Sequence, residues 1–285
     1  MKRSLYLLLL ALPAAAETYL YADHVLQTPT GVTYLDLTDV SRVYANGANY
    51  TITTATDPED VATVGGTLAG VQAAKKCSVR TVAGADSVGG TGAVRVIVHG
   101  LSQTYAEVQV TFALAGSAGL GGTKVAGDSM VTVLSAWVDS AGSGAVNADS
   151  IKIKLGNSVM ALILPAKNKS SAAYYMVPDG YVGYLTSWGA SSAAPDSASV
   201  TVELLTRKTG KLWLVEDVGA TSTGALERRY PVPMPLPART EVKVRALEVT
   251  GSGTSVQASL GLLLVASSAT PVSVPYVGDI WTNRR

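Results

Sequence analysis

Histidine, the side chain best suited to moving a proton near neutral pH, occurs twice in this 285-residue chain, at His24 and His99. In a nucleophilic triad, His99 would take the proton of a hydroxyl such as Ser102 while an aspartate oriented the ring. No nucleophile-elbow pattern surrounds Ser102 and no spacing orders three such residues, so His99 reads as a hydrogen-bonded histidine at a strand end. Two histidines exclude a three-histidine zinc site. Cys77 is the single cysteine, which excludes an intrachain disulfide and a cysteine-rich metal site. Carboxylates cluster at Asp57, Glu59 and Asp60, and again at Glu216 and Asp217. Such pairs can serve glycoside hydrolysis or hold calcium; here helix capping explains the first set and a solvated hairpin end the second. The glycine-rich segment from Gly116 to Gly122 has the outline of a dinucleotide-binding turn, which would need a preceding parallel strand and a following helix. Strand signals on both sides make it a hairpin loop instead. Tyr174, Tyr175, Tyr181, Tyr184 and Trp188 could stack on a sugar, but period-two alternation divides them between faces and commits part of the set to core or interface. The expectation is a chain that is not an enzyme, with no catalytic, cofactor-binding or metal-binding residue and no cofactor.

The elements that would carry these residues are strands. Alternation of apolar and polar residues is clearest from Ala172 to Val265, where turn chemistry recurs at nearly every interval, the pattern of an antiparallel sandwich with one face of each sheet in the core. Strands are expected at 159–164, 172–177, 181–188, 200–207, 211–215, 226–230, 241–247 and 255–265, about the eight of a jelly roll. Pro178-Asp179-Gly180 and Lys208-Thr209-Gly210 supply turns. In the 241–247 strand, Val242, Val244 and Ala246 are expected to face the core, and Glu241, Lys243 and Arg245 to face out. Pro231, Pro233, Pro235 and Pro237 alternate, which forbids ladder bonding and predicts an extended connection or an edge. Earlier in the chain, strands are expected at 18–21, 32–37 and 50–54, with a turn at Asn46-Gly47. A hairpin pairs 94–99 with 107–114 through a turn at 100–104, and strands at 130–138 and 151–155 flank a loop at 139–147 that reads as a hinge between halves. Residues 57–76 break the pattern: Asp57 and Pro58 suit a helix start, and Val61, Val64, Leu68 and Val71 recur at helical spacing. Gly65-Gly66 opposes a helix by about 2 kcal/mol relative to two alanines, so the segment is expected as at most one short, broken helix or an ordered loop.

Composition limits the kind of work available. Charged residues make up 15% of the chain and apolar ones 47%, against roughly 25% charged in an average soluble domain. A weakly charged surface of small side chains suits burial in a multi-subunit assembly. A formal charge of +1, with lysine and arginine scattered, gives no electrostatic case for nucleic acid. At the start, Lys2 and Arg3 precede an apolar run from Leu5 to Leu12 and then Pro13-Ala14-Ala15-Ala16 before Glu17. A basic start, a short apolar core and an Ala-x-Ala-like site spell a bacterial secretory signal, with a run too short to span a bilayer comfortably. The other reading is an N-terminal β-arm inserted into a neighbouring subunit.

The phrases at 94–101 (VRVIVHGL), 136–149 (AWVDSAGSGAVNAD) and 174–188 (YYMVPDGYVGYLTSW) resemble a loosely defined group of virion structural proteins of tailed phages, particularly marine ones, and of some large aquatic viruses. The resemblance extends through 200–207 and 231–247 and covers about residues 76–266. It implies β-rich subunits on a particle, with no enzymatic residues to carry over; the signal-like start departs from the group. The expected fold is all-β: two β-sandwich units, the C-terminal one jelly-roll-like. The expected division is a signal-like segment or arm at 1–17, an N-terminal sandwich at 18–155, a jelly roll at 156–270 and a tail at 271–285. The expected role is that of a non-enzymatic virion protein, a capsid decoration or spike. It would pack against copies of itself, a trimer being one form, and against other capsid or virion proteins, without nucleic acid. The second expectation is a secreted or periplasmic β-sandwich module that binds glycans or cell-surface partners. The signal-like start leaves membrane contact open.

Overall fold

The computed structural model describes residues 25–28, 31–34, 40–52, 58–81, 83–116, 129–193, 199–222, 224–249 and 254–268. The expectations for 1–17, for a strand at 18–21, for His24 and Asp57, for the glycines after Gly116, and for the tail at 271–285 fall outside these residues. Every regular element described is a strand. In chain order they are β1 (Val25–Thr28), β2 (Gly31–Tyr34), β3 (Val40–Ile52), β4 (Glu59–Asp60), β5 (Lys75–Arg80), β6 (Ala93–Ser102), β7 (Glu107–Ala113), β8 (Ser129–Ala141) and β9 (Ile151–Leu155). These are followed by β10 (Ser158–Ile163), β11 (Tyr174–Met176), β12 (Tyr181–Ala193), β13 (Val200–Lys208), β14 (Leu214–Thr221), β15 (Ala225–Leu236), β16 (Thr240–Val249) and β17 (Thr254–Ala266). The chain is all-β, as expected. No helix forms over 58–74: β4 is followed by an ordered loop at 61–74, with Gly65, Gly66 and Gly70 at positive φ.

Eight strands make a jelly roll. One sheet has the order β15-β12-β17-β3 and the other β11-β16-β13-β14, with all neighbours antiparallel. Numbered along the chain, these are strands 6-3-8-1 and 2-7-4-5, two interlocked Greek keys. Period-two burial explains the sandwich: along β17, Val256, Ala258, Leu260, Leu262 and Leu264 enter the core while Gln257 and Ser259 face solvent. Leu185, Trp188, Val202, Leu204 and Val244 meet them from the other strands. Each such side chain contributes roughly 1.5–3 kcal/mol when fully buried.

The second strand of this jelly roll is in two pieces. Glu59 and Asp60 pair with Ala246 and Arg245 of β16, and Tyr174 to Met176 pair with Lys243 to Glu241 of the same strand. Val61 and Ala173 join the pieces: Val61 N donates to Val244 O, Val244 N to Ala173 O, and Ala173 N to Val61 O at 2.9 Å. The residues between them leave and return at one point, and β5 to β10 form a separate six-stranded unit, order β10-β9-β5-β8-β6-β7. That unit folds over its own core of Val79, Val96, Val98, Phe112, Ile151, Ile153 and Leu155. The corner is β5, which pairs with β8 at Lys75 and Lys76 and with β9 from Cys77 onward, a strand that switches layers.

This topology redraws the expected division at residue 155. β3 belongs to the jelly roll, paired along β17 from Val40↔Val265 to Ile52↔Thr254, while β10 belongs to the inserted unit. Asn46-Gly47, read as a turn, lies inside β3. Gly47 is there because a Cβ would stand 2.0 Å from Val61 O and 2.2 Å from Ala173 N, where the two chain pieces cross the strand. The loop at 139–147 is not a hinge between halves either. It connects β8 to β9 within the insert and is tied down by Asn147, whose side chain donates to Leu164 O and Asp149 O.

Candidate functional site

His99 lies inside β6, and its neighbour is Glu107 rather than an aspartate. Nε2 stands 3.7 Å from Glu107 Oε2, and the Tyr175 hydroxyl donates to Glu107 Oε1 at 3.1 Å. The ring holds the Glu107 carboxyl below its usual value, against burial, which raises it, and Tyr175 adds to the lowering. Burial, then the Glu107 charge, pushes the Tyr175 hydroxyl well up. Ser102 bonds Thr104 at 3.0 Å instead, so the structure does not assemble His99 and Ser102.

His99 and Glu107 open into a cleft of about 580 Å³ between the insert and β3 of the jelly roll. Lys167, Lys169, Tyr44 and Tyr50 line it as well. Tyr44 is 61% and Tyr50 43% exposed, and Lys167 Nζ lies 5.8 Å from the centre of the Tyr50 ring. Aromatic faces, two ammonium groups and a histidine–carboxylate pair can stack on and hydrogen-bond a polar ring bearing hydroxyls. Of the aromatic set singled out in the sequence, Tyr174 and Tyr175 reach the cleft lining from β11, while the exposed rings there are those of Tyr44 and Tyr50. Tyr174, Tyr175 and Trp188 are buried, Tyr181 is at the margin of exposure and Tyr184 is half-buried. Trp188 Nε1 donates to Asp217 at 3.1 Å.

The carboxylates behave differently from their expected roles. Glu216 and Asp217 lie within β14, bonded by Thr206 and Trp188. Glu59 and Asp60 cap no helix; both are buried. The face of β16 expected to meet solvent is covered by Asp60 of β4, by the 61–74 loop and by Trp213, so Glu241 and Lys243 are 0% and 1% exposed. Lys243 Nζ lies 2.7 Å from Asp60 Oδ1 and 2.8 Å from Oδ2. Arg207 Nε donates to Glu241 Oε2 at 2.6 Å, and Arg245 pairs with Glu203. Arg207 and Lys243 lie 4.3 and 4.4 Å from the centre of the Trp213 ring. Glu241 also accepts from Val71 N and from the Tyr174 hydroxyl. Burial pushes the Asp60 carboxyl up and the Lys243 ammonium down, each opposed by the charge of the other. Strict alternation along β16 hid this row, because a strand whose second face is covered by a loop carries the same pattern as one half-exposed.

β14 and β15 end the two sheets on the same side of the sandwich. Leu212, Leu214, Val215, Val218 and Val232 are uncovered there, Leu212 at 85% and Leu214 at 62%. Cys77 is buried in the core of the insert. Among the described residues, no three His, Cys, Asp or Glu side chains converge as a metal site.

No family model and no curated protein matches the chain. Among solved structures it is similar to a chain of infectious bursal disease virus, Gt strain, at 11% identity and a TM-score of 0.20, covering 88% of this chain and 77% of that one. It is also similar to a chain of T=1 particles derived from infectious bursal virus, at 11% identity and a TM-score of 0.12, covering 83% of this chain and 76% of that one.

Proposed function

We propose that the chain is a non-enzymatic structural subunit of a virus particle, a decoration or spike that assembles with copies of itself and docks on the shell. The observation that carries this reading is the jelly roll, a fold used by capsid subunits, whose β14 and β15 edge leaves five large apolar side chains uncovered. An apolar sheet edge is a template for association. The low charge of the chain and the phage-like phrases support the same reading. Purified full-length protein is expected to form a closed oligomer by light scattering, and isolated particles to contain it in symmetric stoichiometry. Leu214→Lys with Val218→Lys is expected to lower the oligomer mass while leaving the far-ultraviolet spectrum unchanged. A monomer at micromolar concentration that is absent from particles overturns the reading.

The cleft favours a second reading, a secreted module that binds glycans or cell-surface partners. Exposed Tyr44 and Tyr50 beside Lys167 and the His99–Glu107 pair support it. This reading expects a mature terminus at Glu17 and glycan-array binding that Tyr50→Ala abolishes; failure of both removes it.

A further inference from the structure

We propose that Lys243 and Asp60 close an intramolecular isopeptide bond, an amide between Nζ of the lysine and Cγ of the aspartate. The nitrogen lies 2.7 and 2.8 Å from the two carboxyl oxygens, which puts it within roughly 3 Å of the carboxyl carbon, the separation of a near-attack arrangement. Asp60 and Lys243 are each 1% exposed, so water neither solvates the pair nor competes for the carbon. Burial favours the uncharged amine and the uncharged acid, the two forms that condense. Leu68 N donates to Asp60 Oδ2 at 2.6 Å and is placed to hold the charge that develops on that oxygen. Asp60 Oδ1 is buried and no aligned hydrogen bond reaches it, which marks it as the oxygen that departs.

The step balances without an oxidant or a co-reactant. The lysine lone pair forms a C–N bond to the protonated carboxyl, and the negative charge settles on Oδ2 against the Leu68 N–H. A proton passes from nitrogen to the Oδ1 hydroxyl, the Cγ–Oδ1 bond breaks, and one water leaves. Condensation also removes the acceptor that has no aligned partner, a group that is unfavourable to keep buried. The amide would tie β4, the first half of the interrupted strand, to β16 and so fasten the stem from which the insert departs. This inference stands on the pair alone and does not depend on the assembly role.

Peptide mapping of the full-length protein tests it. Trypsin cuts after Arg42, Lys75, Arg239 and Arg245. A branched peptide joining residues 43–75 to residues 240–245, lighter than the sum of the two by one water, is the expected product. Asp60→Asn is expected to give the same branched peptide with loss of ammonia instead of water. Lys243→Met is expected to give none, and a branch that persists in it overturns the assignment to Lys243. Recovery of unbranched 240–243 from folded wild-type protein overturns the bond itself, whether or not either variant folds.

Discussion

The pair of His99 and Glu107 shows how a single contact can set the acid response of the cleft. Glu107 is held below its ordinary value of 4.5, chiefly by the His99 ring, so the folded protein binds that proton less readily than the unfolded chain. A depressed carboxyl contributes stability above about pH 4.5 and loses it as the pH falls through the lower folded value. The side chain of Glu107 is 45% exposed, so solvent screening keeps the effect small. Replacing His99 with Leu removes the imidazole but keeps comparable bulk. The variant is expected to show an offset in urea midpoint from wild type that is steady from pH 5 to 6 and narrows below pH 4.5. An offset that is flat across the whole range would mean that His99 does not tune Glu107. The same pair illustrates what sequence conceals. His99 stood out by rarity, and its partner lies on the next strand of a hairpin, so only the β6–β7 register, with Leu101 opposite Glu107, brings the two together.

At the scale of elements, legibility followed how each strand is covered. β13 and β17, with a core face that is apolar at every second position, lie within a residue of their expected bounds, and β12 runs five residues beyond its own, to Ala193. The turns at Gly180 and Gly210, which both take positive φ, were readable from proline and glycine chemistry. β15 follows the same logic with a twist. Its ladder to β12 jumps from Arg229 to Met234, so Pro231 and Pro233, which have no N–H to donate, fall in the unpaired stretch, but Pro235 lies in the ladder opposite Tyr184. The strand is an edge, as expected, and the prolines do not forbid its pairing throughout. β3 and β16 were misread because another segment crosses them. β16 carries charges on a face that a loop buries, and β3 carries a glycine where two backbones pass. Gly47→Ala tests the second case. A methyl group 2.0 Å from Val61 O and 2.2 Å from Ala173 N cannot be absorbed without moving the junction, and about 3 kcal/mol or more of stability is expected to be lost. Gly224→Ala meets nothing within 4 Å and is expected to change stability by no more than about 0.5 kcal/mol. Chemical denaturation of the two variants makes the comparison, and equal losses would remove the crossing as the reason for Gly47.

For the whole molecule, the decisive feature is that one unit interrupts a strand of the other. A jelly roll formed by one contiguous C-terminal block could close on its own, independently of the residues before it. Here its first strand, β3, must find its last, β17, across the entire insert, a closure of long sequence separation that slows folding. The insert also lends side chains to its host. Leu101, Val131 and Leu134 pack in the same core cluster as Trp188 and Leu264. At its tip, Tyr105 O accepts from Asp179 N at 3.0 Å, and Arg239 lies over the Tyr105 ring at 4.6 Å while pairing with Asp179. Excising the insert separates these two relationships. Val61 and Ala173 are hydrogen-bonded neighbours, so a short Gly-Ser bridge between them leaves the second strand intact, and loop closure becomes easier as the loop shortens. The shortened protein is expected to fold faster and to unfold cooperatively, because both sheets and their shared core remain. It is also expected to be less stable than the full chain, having lost the three insert residues with the apolar surface they cover, and the 62–74 loop whose Leu68 and Val71 N–H groups bond Asp60 and Glu241. Stopped-flow refolding and a thermal melt read the two effects independently. A chain that shows no cooperative transition would mean that the insert is part of the jelly-roll core rather than a guest upon it.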